Sequence, residues 1–451
     1  MDAGRTEMSE RERNATTVSP QGAKHAVSPA AAWPWVDRSI WTERMLAALD
    51  NGVKGRKWFS LIDKVHRPTT LAAAWKQVQA NRGTAGVDGL SIERFASQAD
   101  RYLEELQVAL ATGQYQPQAI RRVEIPKSDG QRRPLGIPTV KDRVVQGAMK
   151  RVVEPIFERE FLPMSYGFRP GKGCKDALRE VHEALKQGFT WVVDADLKGY
   201  FDSIPHDRLM ARVEERISDG RVLSLIRSWL QQEILKGMER WTPVGGCPQG
   251  AIISPLLANI YLHPLDVQMT QRGYRMVRYA DDFVILCESE SQARQALTEI
   301  QTWTEANGLT LHPEKTHLGD CRQRGQGFDF LGYRFEAGRR RVRRKSLKAL
   351  KDKVRKETRR TCGKSLSQVI AKLNPMLRGW FGYFKHALHW VLESVDRFIR
   401  RRLRAILRKQ QKRPGRGWTQ ADHRRWPNKT FADAGLFTLK EAWKNASQSR
   451  C

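Results

Sequence analysis

Apolar positions recur at helical spacing through much of the chain, broken by a few short runs of alternating or continuous apolar residues. From Trp41 to about Asp63, Met45, Leu46, Leu49, Val53, Trp58, Phe59 and Leu61 predict a partly apolar helical segment, and a second one spans Ser91 to about Ala111. Asn81 to Gly86, between them, reads as a loop. Ile120–Ile125 and Arg133–Ile137 read as two strands joined at Ser128-Asp129-Gly130. Val140 to about Phe161 is helical, with Val144, Val145, Ala148, Val152 and Ile156 on one stripe, and Cys174–Leu185 follows it. Trp191–Leu197 reads as a strand, Arg208–Ile217, Val222–Leu235 and Ser254 to about Val267 as helices. Arg275–Tyr279 and Phe283–Cys287 are strands meeting at Ala280-Asp281-Asp282, and a helix from Ser291 to Asn307 ends beside Gly308. After Phe335 the pattern becomes helical and basic to about Gln411. No internal repeat stands out, and this order of elements predicts an α+β layer fold, one sheet backed by helices.

The chain has 451 residues and 40% apolar residues, enough for about three domains of roughly 150 residues each. Charge changes the picture more. Lys and Arg number 79 against 49 Asp and Glu, a net of +30. Arg339–Arg360 holds 13 basic and 2 acidic residues, Arg397–Arg416 holds 10 basic and none acidic, and together they carry +21 of that surplus. Clustered charge of this kind is the footprint of a polyanionic partner, nucleic acid first, rather than of general solubility. The six cysteines form no C-x-x-C pair, and no signal peptide precedes them. A reducing cytosol without disulfides or a cysteine-based zinc site is therefore expected. No run of 18 apolar residues suggests a membrane span.

Candidate chemistry rests on carboxylates. Along the Trp191–Leu197 strand Asp194 and Asp196 point to one face and Trp191, Val193, Ala195 and Leu197 to the other. Asp281-Asp282 sits in the turn between two apolar strands. Hard divalent cations such as magnesium take oxygen ligands of this kind, and paired cations suit phosphoryl transfer. The plainer reading stays open: Asp-Asp is ordinary turn chemistry, and Asp194 reads best as a solvated or hydrogen-bonded strand residue.

At these residues the sequence resembles reverse transcriptases, most closely the group II intron-encoded class, the maturases. The resemblance runs from about Trp41 to the C-terminus through an ordered set of motifs: Ile125-Pro126-Lys127 with Arg133-Pro134-Leu135-Gly136-Ile137-Pro138; Ser165-Tyr166-Gly167-Phe168-Arg169-Pro170-Gly171; Asp196-Leu197-Lys198-Gly199-Tyr200-Phe201-Asp202; Pro248-Gln249-Gly250 through Ser254-Pro255-Leu256-Leu257-Ala258-Asn259; Tyr279-Ala280-Asp281-Asp282; Leu309-Thr310-Leu311-His312-Pro313-Glu314-Lys315-Thr316; and Phe330-Leu331-Gly332. It implies a right-hand polymerase, with fingers and an antiparallel palm sheet backed by helices, followed by an all-helical thumb or maturase domain. It implies that Asp196, Asp281 and Asp282 are catalytic and bind two magnesium ions, with manganese as a substitute and the Leu197 carbonyl as an extra ligand. Lys127 and Arg133 would grip the incoming triphosphate, two fixed cations suiting its charge. Tyr200 would exclude a ribose 2′-hydroxyl, its plainer reading being a core aromatic. Gln249 would line the nucleotide pocket, its plainer reading a residue in a turn before a helix.

Cys247 stands where the family commonly has a small or hydroxyl residue, with at most a packing effect expected. A His- and Cys-containing endonuclease domain is not expected, since only about 40 residues follow the basic helices. The N-terminal segment and short tail resemble the compact bacterial class C type. Arg378-Gly379-Trp380-Phe381-Gly382-Tyr383-Phe384 matches a thumb pattern of the family, and its aromatics read as core because they share a stripe with Val369, Ile370, Leu373 and Leu377. In the next helix Arg400, Arg401, Arg404 and Arg408 lie largely off the apolar stripe and read as nucleic-acid contacts, against a solvated basic face.

The expected organisation is a disordered tail at 1–35, an N-terminal extension at 36–110, fingers and palm at 111–336, a basic helical thumb at 337–411 and a short DNA-binding-like tail at 412–451. The expected function is RNA-directed DNA polymerase activity coupled to splicing and retrohoming of a group II intron. Its partners are the intron RNA, an RNA template with DNA primer, target DNA and deoxynucleoside triphosphates, in a cytoplasmic bacterial ribonucleoprotein without a membrane. Two alternatives remain at this point: a non-catalytic RNA-binding splicing factor on a polymerase scaffold, and a reverse transcriptase of a defence or diversity-generating system.

Overall fold

The computed structural model describes residues 33–126, 132–361 and 363–448. Most of the 1–35 tail, Lys127 and the Ser128-Asp129-Gly130 turn lie outside them, as do Cys362 and Cys451. Trp33 and Trp35 are described, and both pack against the main core. Trp33 Nε1 also donates to Asp50 Oδ1 at 2.8 Å, so ordered structure starts before the boundary the sequence suggested.

Among the described residues eleven strands form three sheets. The first joins β1 (Ile120–Pro126), β2 (Arg132–Ile137), β4 (Ile234–Lys236) and β5 (Glu239–Trp241) in the order β2-β1-β4-β5. The second joins β3 (Trp191–Asp196), β6 (Arg275–Tyr279), β7 (Asp282–Cys287) and β8 (His317–Asp320) in the order β6-β7-β3-β8, antiparallel throughout. The third is a meander of β9 (Phe328–Phe330), β10 (Tyr333–Glu336) and β11 (Arg339–Val342). The second sheet is the expected palm. Helices Val140–Glu158, Ser254–Gln271 and Glu290–Ala306 pack on one side of it, contributing Val144, Leu257 and Ile300 to a single core with Val193, Ala195 and Ile285 of the sheet.

The N-terminal extension is stitched to this core. Asp219 Oδ2 accepts the backbone N–H groups of Leu61 and Ile62 at 2.6 and 2.9 Å, capping the short helix Ile62–Val65 and holding it near Gly220–Leu230. The 41–63 segment is not one helix. It is Glu43–Asn51, a 3-10 turn at Lys54–Arg56 and Ile62–Val65, broken where Gly52 and Gly55 take left-handed φ values of 87° and 76°. Pro68–Ala80 is a helix that the pattern did not announce.

Two further corrections concern strands. The predicted helix to Leu235 ends at Leu230, and Ile234–Trp241 is the β4–β5 hairpin. The basic stretch begins as strand β11 rather than helix, because Gly338 at φ +67 turns the chain back on β10; the helix starts at Arg344. Beyond it, helices Arg344–Glu357, Leu366–Phe384 and His389–Gln410 enclose a separate core. The 412–448 segment adds Trp426, Phe431, Leu436 and Leu439 to that core, and Asp396 accepts Leu439 N and Lys440 N at 3.0 and 2.9 Å. The tail is thus packed onto the thumb rather than separate from it. Among the described residues no helix is long and apolar enough to cross a membrane.

Candidate active site

The site forms where β3 ends beside the β6–β7 turn. Asp196 and Asp282 are register partners, so their side chains share one face of the sheet with Asp194, two residues back along β3. Ala280, at φ +60, makes the tight turn that presents Asp281. Burial pushes the Asp282 carboxyl up to about 8, and the neighbouring carboxylates of Asp194, Asp281 and Asp196 add to it. Asp281 is raised by burial and by Asp196, and is opposed by Arg133 and Lys315. Asp194, pushed by burial to about 7, accepts the backbone N–H of Asp329 and lies near Arg343. It is a hydrogen-bonded strand residue, as read from the sequence, but on a largely buried face rather than a solvated one.

Carboxylates crowded this way repel one another and call for a cation. Among the described residues no three His, Cys, Asp or Glu side chains converge as a ready-made metal cage. A positive charge does occupy the position: Lys315 Nζ donates to Asp196 Oδ2 at 2.7 Å. Asp196 carboxylate therefore has a cation for a partner, and the oxygen donor set suits a hard divalent ion. Leu197, the next residue, is held in place because Asp196 O accepts His312 N at 2.7 Å and Lys198 N donates to Thr310 O at 2.8 Å.

The fingers reach the same cleft. Arg133 Nε donates to Gln249 Oε1 at 2.9 Å, and Gln249 Nε2 donates to Asp202 Oδ2 at 3.3 Å. Gly136 N donates to Gln249 O at 2.6 Å, and a side chain at Gly250 would collide with Gly136 O. Glycine at 250, at φ +115, is what lets the Pro248-Gln249-Gly250 turn press against β2. The same turn is tied to the palm by Cys247 N donating to Phe201 O at 2.6 Å. Cys247 itself is buried, with its thiol pushed up to about 12, and packs without chemistry.

Tyr200 is a correction. It is 2% exposed and its hydroxyl donates to Ala258 O at 2.6 Å, so it is a core aromatic with its one polar atom satisfied. Its neighbour Phe201 lines a cavity of about 670 Å³ together with Arg122, Asp202, Trp241 and Pro248.

Two of the four basic helix residues are also corrected. Arg404 is buried, donating to Trp426 O and Asn428 Oδ1, both at 2.9 Å. Arg408 pairs with Asp422 and donates to Pro414 O. Both anchor the tail and are not free for phosphate. Arg401 stacks over Trp418 with its Cζ 4.4 Å from the ring centre, and Arg400 lies near Asp396 and Arg404.

A buried support under the turn leaves little signal in the sequence. Arg278 is fully buried with Asp266, Nε to Oδ1 at 2.7 Å, and its Nη1 donates to both Asn259 Oδ1 and Ala280 O at 3.0 Å. Asn259 Nδ2 in turn donates to Gly167 O at 2.8 Å. A side chain at Gly167 would collide with the Ala280 backbone, so the Ser165–Arg169 loop lies directly against the acidic turn. Asn259 and Gly167 fall within motifs that were read, but Asp266 does not: a lone acid late in an apolar helix gives no periodic signal.

A palm sheet carrying Asp196 and Asp282 at the ends of its two central strands and Asp281 on the adjoining turn, with fingers reaching the same cleft and a helical thumb beyond, defines a nucleic-acid polymerase of the reverse-transcriptase class. The sequence comparisons agree. Residues 125–335 match the reverse transcriptase (RNA-dependent DNA polymerase) family, and residues 347–429 match the group II intron maturase-specific domain. Protein YkfC of Escherichia coli is 34% identical over 335 residues, spanning 64% of this chain and 85% of YkfC. The group II intron-encoded protein LtrA of Lactococcus lactis is 36% identical over 201 residues, 44% of this chain and 33% of LtrA. An uncharacterized 91 kDa protein in the cob intron of Schizosaccharomyces pombe is 30% identical over 313 residues, 54% of this chain and 37% of that protein. The chain belongs to the group II intron-type reverse transcriptases, RNA-directed DNA polymerases with a maturase domain. Members of the reverse-transcriptase family generally use divalent metal ions, and the maturase domain implies RNA binding.

Proposed function

We propose that the chain copies RNA into DNA at the cleft of Asp196, Asp281 and Asp282 while bound to the group II intron RNA that encodes it, assisting splicing and then retrohoming. The observation that carries this reading is the β3–β7 register, with Asp196 opposite Asp282 and Asp281 on the adjoining turn. Asp196, Asp281 and the Leu197 carbonyl would hold two magnesium ions, with manganese as a substitute and Asp282 completing the set. Bound there, the ions would activate a primer 3′-hydroxyl and offset charge on the leaving pyrophosphate. Lys315 would leave Asp196 on metal entry and remain close enough to neutralise phosphate charge.

Arg133 grips the triphosphate of an incoming deoxynucleotide from a position fixed by its bond to Gln249, so less freedom is lost on binding. Lys127 takes the matching role on the sequence argument alone. Exclusion of ribose passes from Tyr200 to Phe201, the aromatic that lines the cavity. The RNA template with its DNA primer, and a DNA target, run between fingers and thumb. The proposed setting is the bacterial cytoplasm, as a ribonucleoprotein. A non-catalytic scaffold is disfavoured because the three aspartates, Arg133 and Gln249 are all present.

RNA-templated primer extension with and without magnesium tests the reading. Extension confined to the magnesium arm supports it; no extension in either arm, with RNA still bound, turns it to the non-catalytic scaffold.

A further inference from the structure

Between helix His389–Gln410, the end of helix Arg344–Glu357 and the 412–418 segment lies a hollow of about 320 Å³, remote in the chain from the palm motifs. Its lining is Arg360, Arg401, Arg402, Ala405, Arg416 and Trp418, with no carboxylate among the described residues that line it.

The hollow is built rather than incidental. Arg402 donates from Nε to Thr358 Oγ1 at 2.9 Å and from Nη2 to Thr358 O at 2.7 Å, while Arg360 Nη1 donates to Gly415 O at 3.2 Å. Gly417, at φ +74, lets the segment press on the helix: a Cβ there would lie 2.9 Å from Ala405 N. These bonds fix the guanidinium groups through neutral carbonyls and a hydroxyl, leaving their charges uncompensated. On the same helix Arg408 is compensated by Asp422, so the contrast is local. Burial lowers the Arg402 pKa, and the like charges of Arg401, Arg355 and Arg360 lower it further. Such a cluster is costly without an anion. Trp418 is 61% exposed even though Arg401 covers one face of its indole, which leaves the other face to solvent.

The geometry points to a binding site for single-stranded nucleic acid, with one backbone phosphate held among Arg360, Arg402 and Arg416 and the adjoining base stacked on Trp418. It rests on the reading of the chain as a nucleic-acid enzyme and adds where a strand is held outside the polymerase cleft. Guanidinium forks match phosphate oxygens. A flat, exposed indole braced by a cation is a stacking platform, and a base reaches it only when unpaired. A pocket of roughly 300 Å³ suits a ligand the size of one nucleotide unit rather than a bare ion.

The test uses the full chain with short single-stranded RNA and DNA oligonucleotides carrying a photoreactive uracil, a matching duplex, and inorganic phosphate as competitor. Single strands are expected to cross-link to the peptide containing Trp418 and the duplex is not. Trp418→Ala should weaken single-strand binding about tenfold while Trp418→Phe keeps it, since stacking needs only a ring. Arg416→Gln should lower the slope of log affinity against log salt by about one phosphate's worth. Primer extension on RNA should be unchanged in these variants, which separates failure of this site from failure of the polymerase reading. The RNA and DNA arms tell which sugar is preferred. Wild-type single-strand affinity in Trp418→Ala, equal cross-linking by duplex, or competition by millimolar phosphate with no dependence on Trp418 would each overturn the site.

Discussion

Lys315 Nζ lies 2.7 Å from Asp196 Oδ2, so a side-chain cation stands at the carboxylate that a metal ion would need. Removing it should make metal binding easier. Both side chains are partly exposed, so the gain is small, no more than about fivefold in the midpoint of manganese binding for Lys315→Met. Calorimetric or spin-resonance titration reads this directly. An unchanged or weaker midpoint would mean the pair does not compete with metal.

Sugar selection separates two adjacent aromatics. Phe201→Ala should raise ribonucleotide incorporation, measured as the ratio of kcat/KM for deoxy- and ribonucleotides. Tyr200→Phe should leave that ratio alone and lose about 1 kcal/mol of stability, the usual worth of a hydrogen bond such as that to Ala258 O. The reverse pattern would return the gate to Tyr200.

The Arg278–Asp266 pair is fully buried, so breaking it leaves an uncompensated charge. Asp266→Asn should cost about 3–5 kcal/mol in denaturant unfolding. Because Arg278 also donates to Ala280 O, residual polymerase activity in the folded variant should fall too. Full activity at reduced stability would show that the pair supports the fold but not the turn.

Asp282 is one source of pH dependence in the metal-free protein, beside Asp194, which burial pushes up to about 7. Burial, with the neighbouring carboxylates, pushes the Asp282 carboxyl up to about 8 in the folded chain from an ordinary 3.8. Between those values the folded state holds a proton that the unfolded state has lost, so stability is greatest at the acid end and falls as pH rises through the window. This one group contributes up to about 1.4 kcal/mol per pH unit. In chelator, Asp282→Asn should therefore gain on wild type as pH goes from 5 to 8. Parallel curves would contradict the burial of that charge.

Much of this site was legible in the sequence, for reasons that differ by residue. Asp196 could be placed because a strand alternates faces, and Asp281-Asp282 because the two flanking apolar runs force a turn. Arg133 and Gln249 came from resemblance alone; nothing in their spacing shows that they touch across 116 residues. The Tyr200 assignment failed because a four-residue helix, Tyr200–Ser203, starts at that position, and its first turn sends Tyr200 inward beneath Ala258. Arg404 and Arg408 look like solvent-facing arginines on helical periodicity, but residues 412–428 fold back over them and take their hydrogen bonds. Long-range cover of this kind leaves no local trace. The β9–β11 meander was hidden for a related reason: strands of three or four residues are too short for a period-two pattern to show in a basic stretch.

Asp281, on the turn after β6, is proposed to serve RNA-templated polymerisation. Its most direct test is magnesium-dependent primer extension on an RNA template by Asp281→Asn, with binding of the same RNA measured in parallel. Extension should fall by more than about a hundredfold, beyond what loss of an outer metal partner costs, while RNA affinity stays within about twofold of wild type. Extension at a near wild-type rate by the folded variant would contradict the assignment.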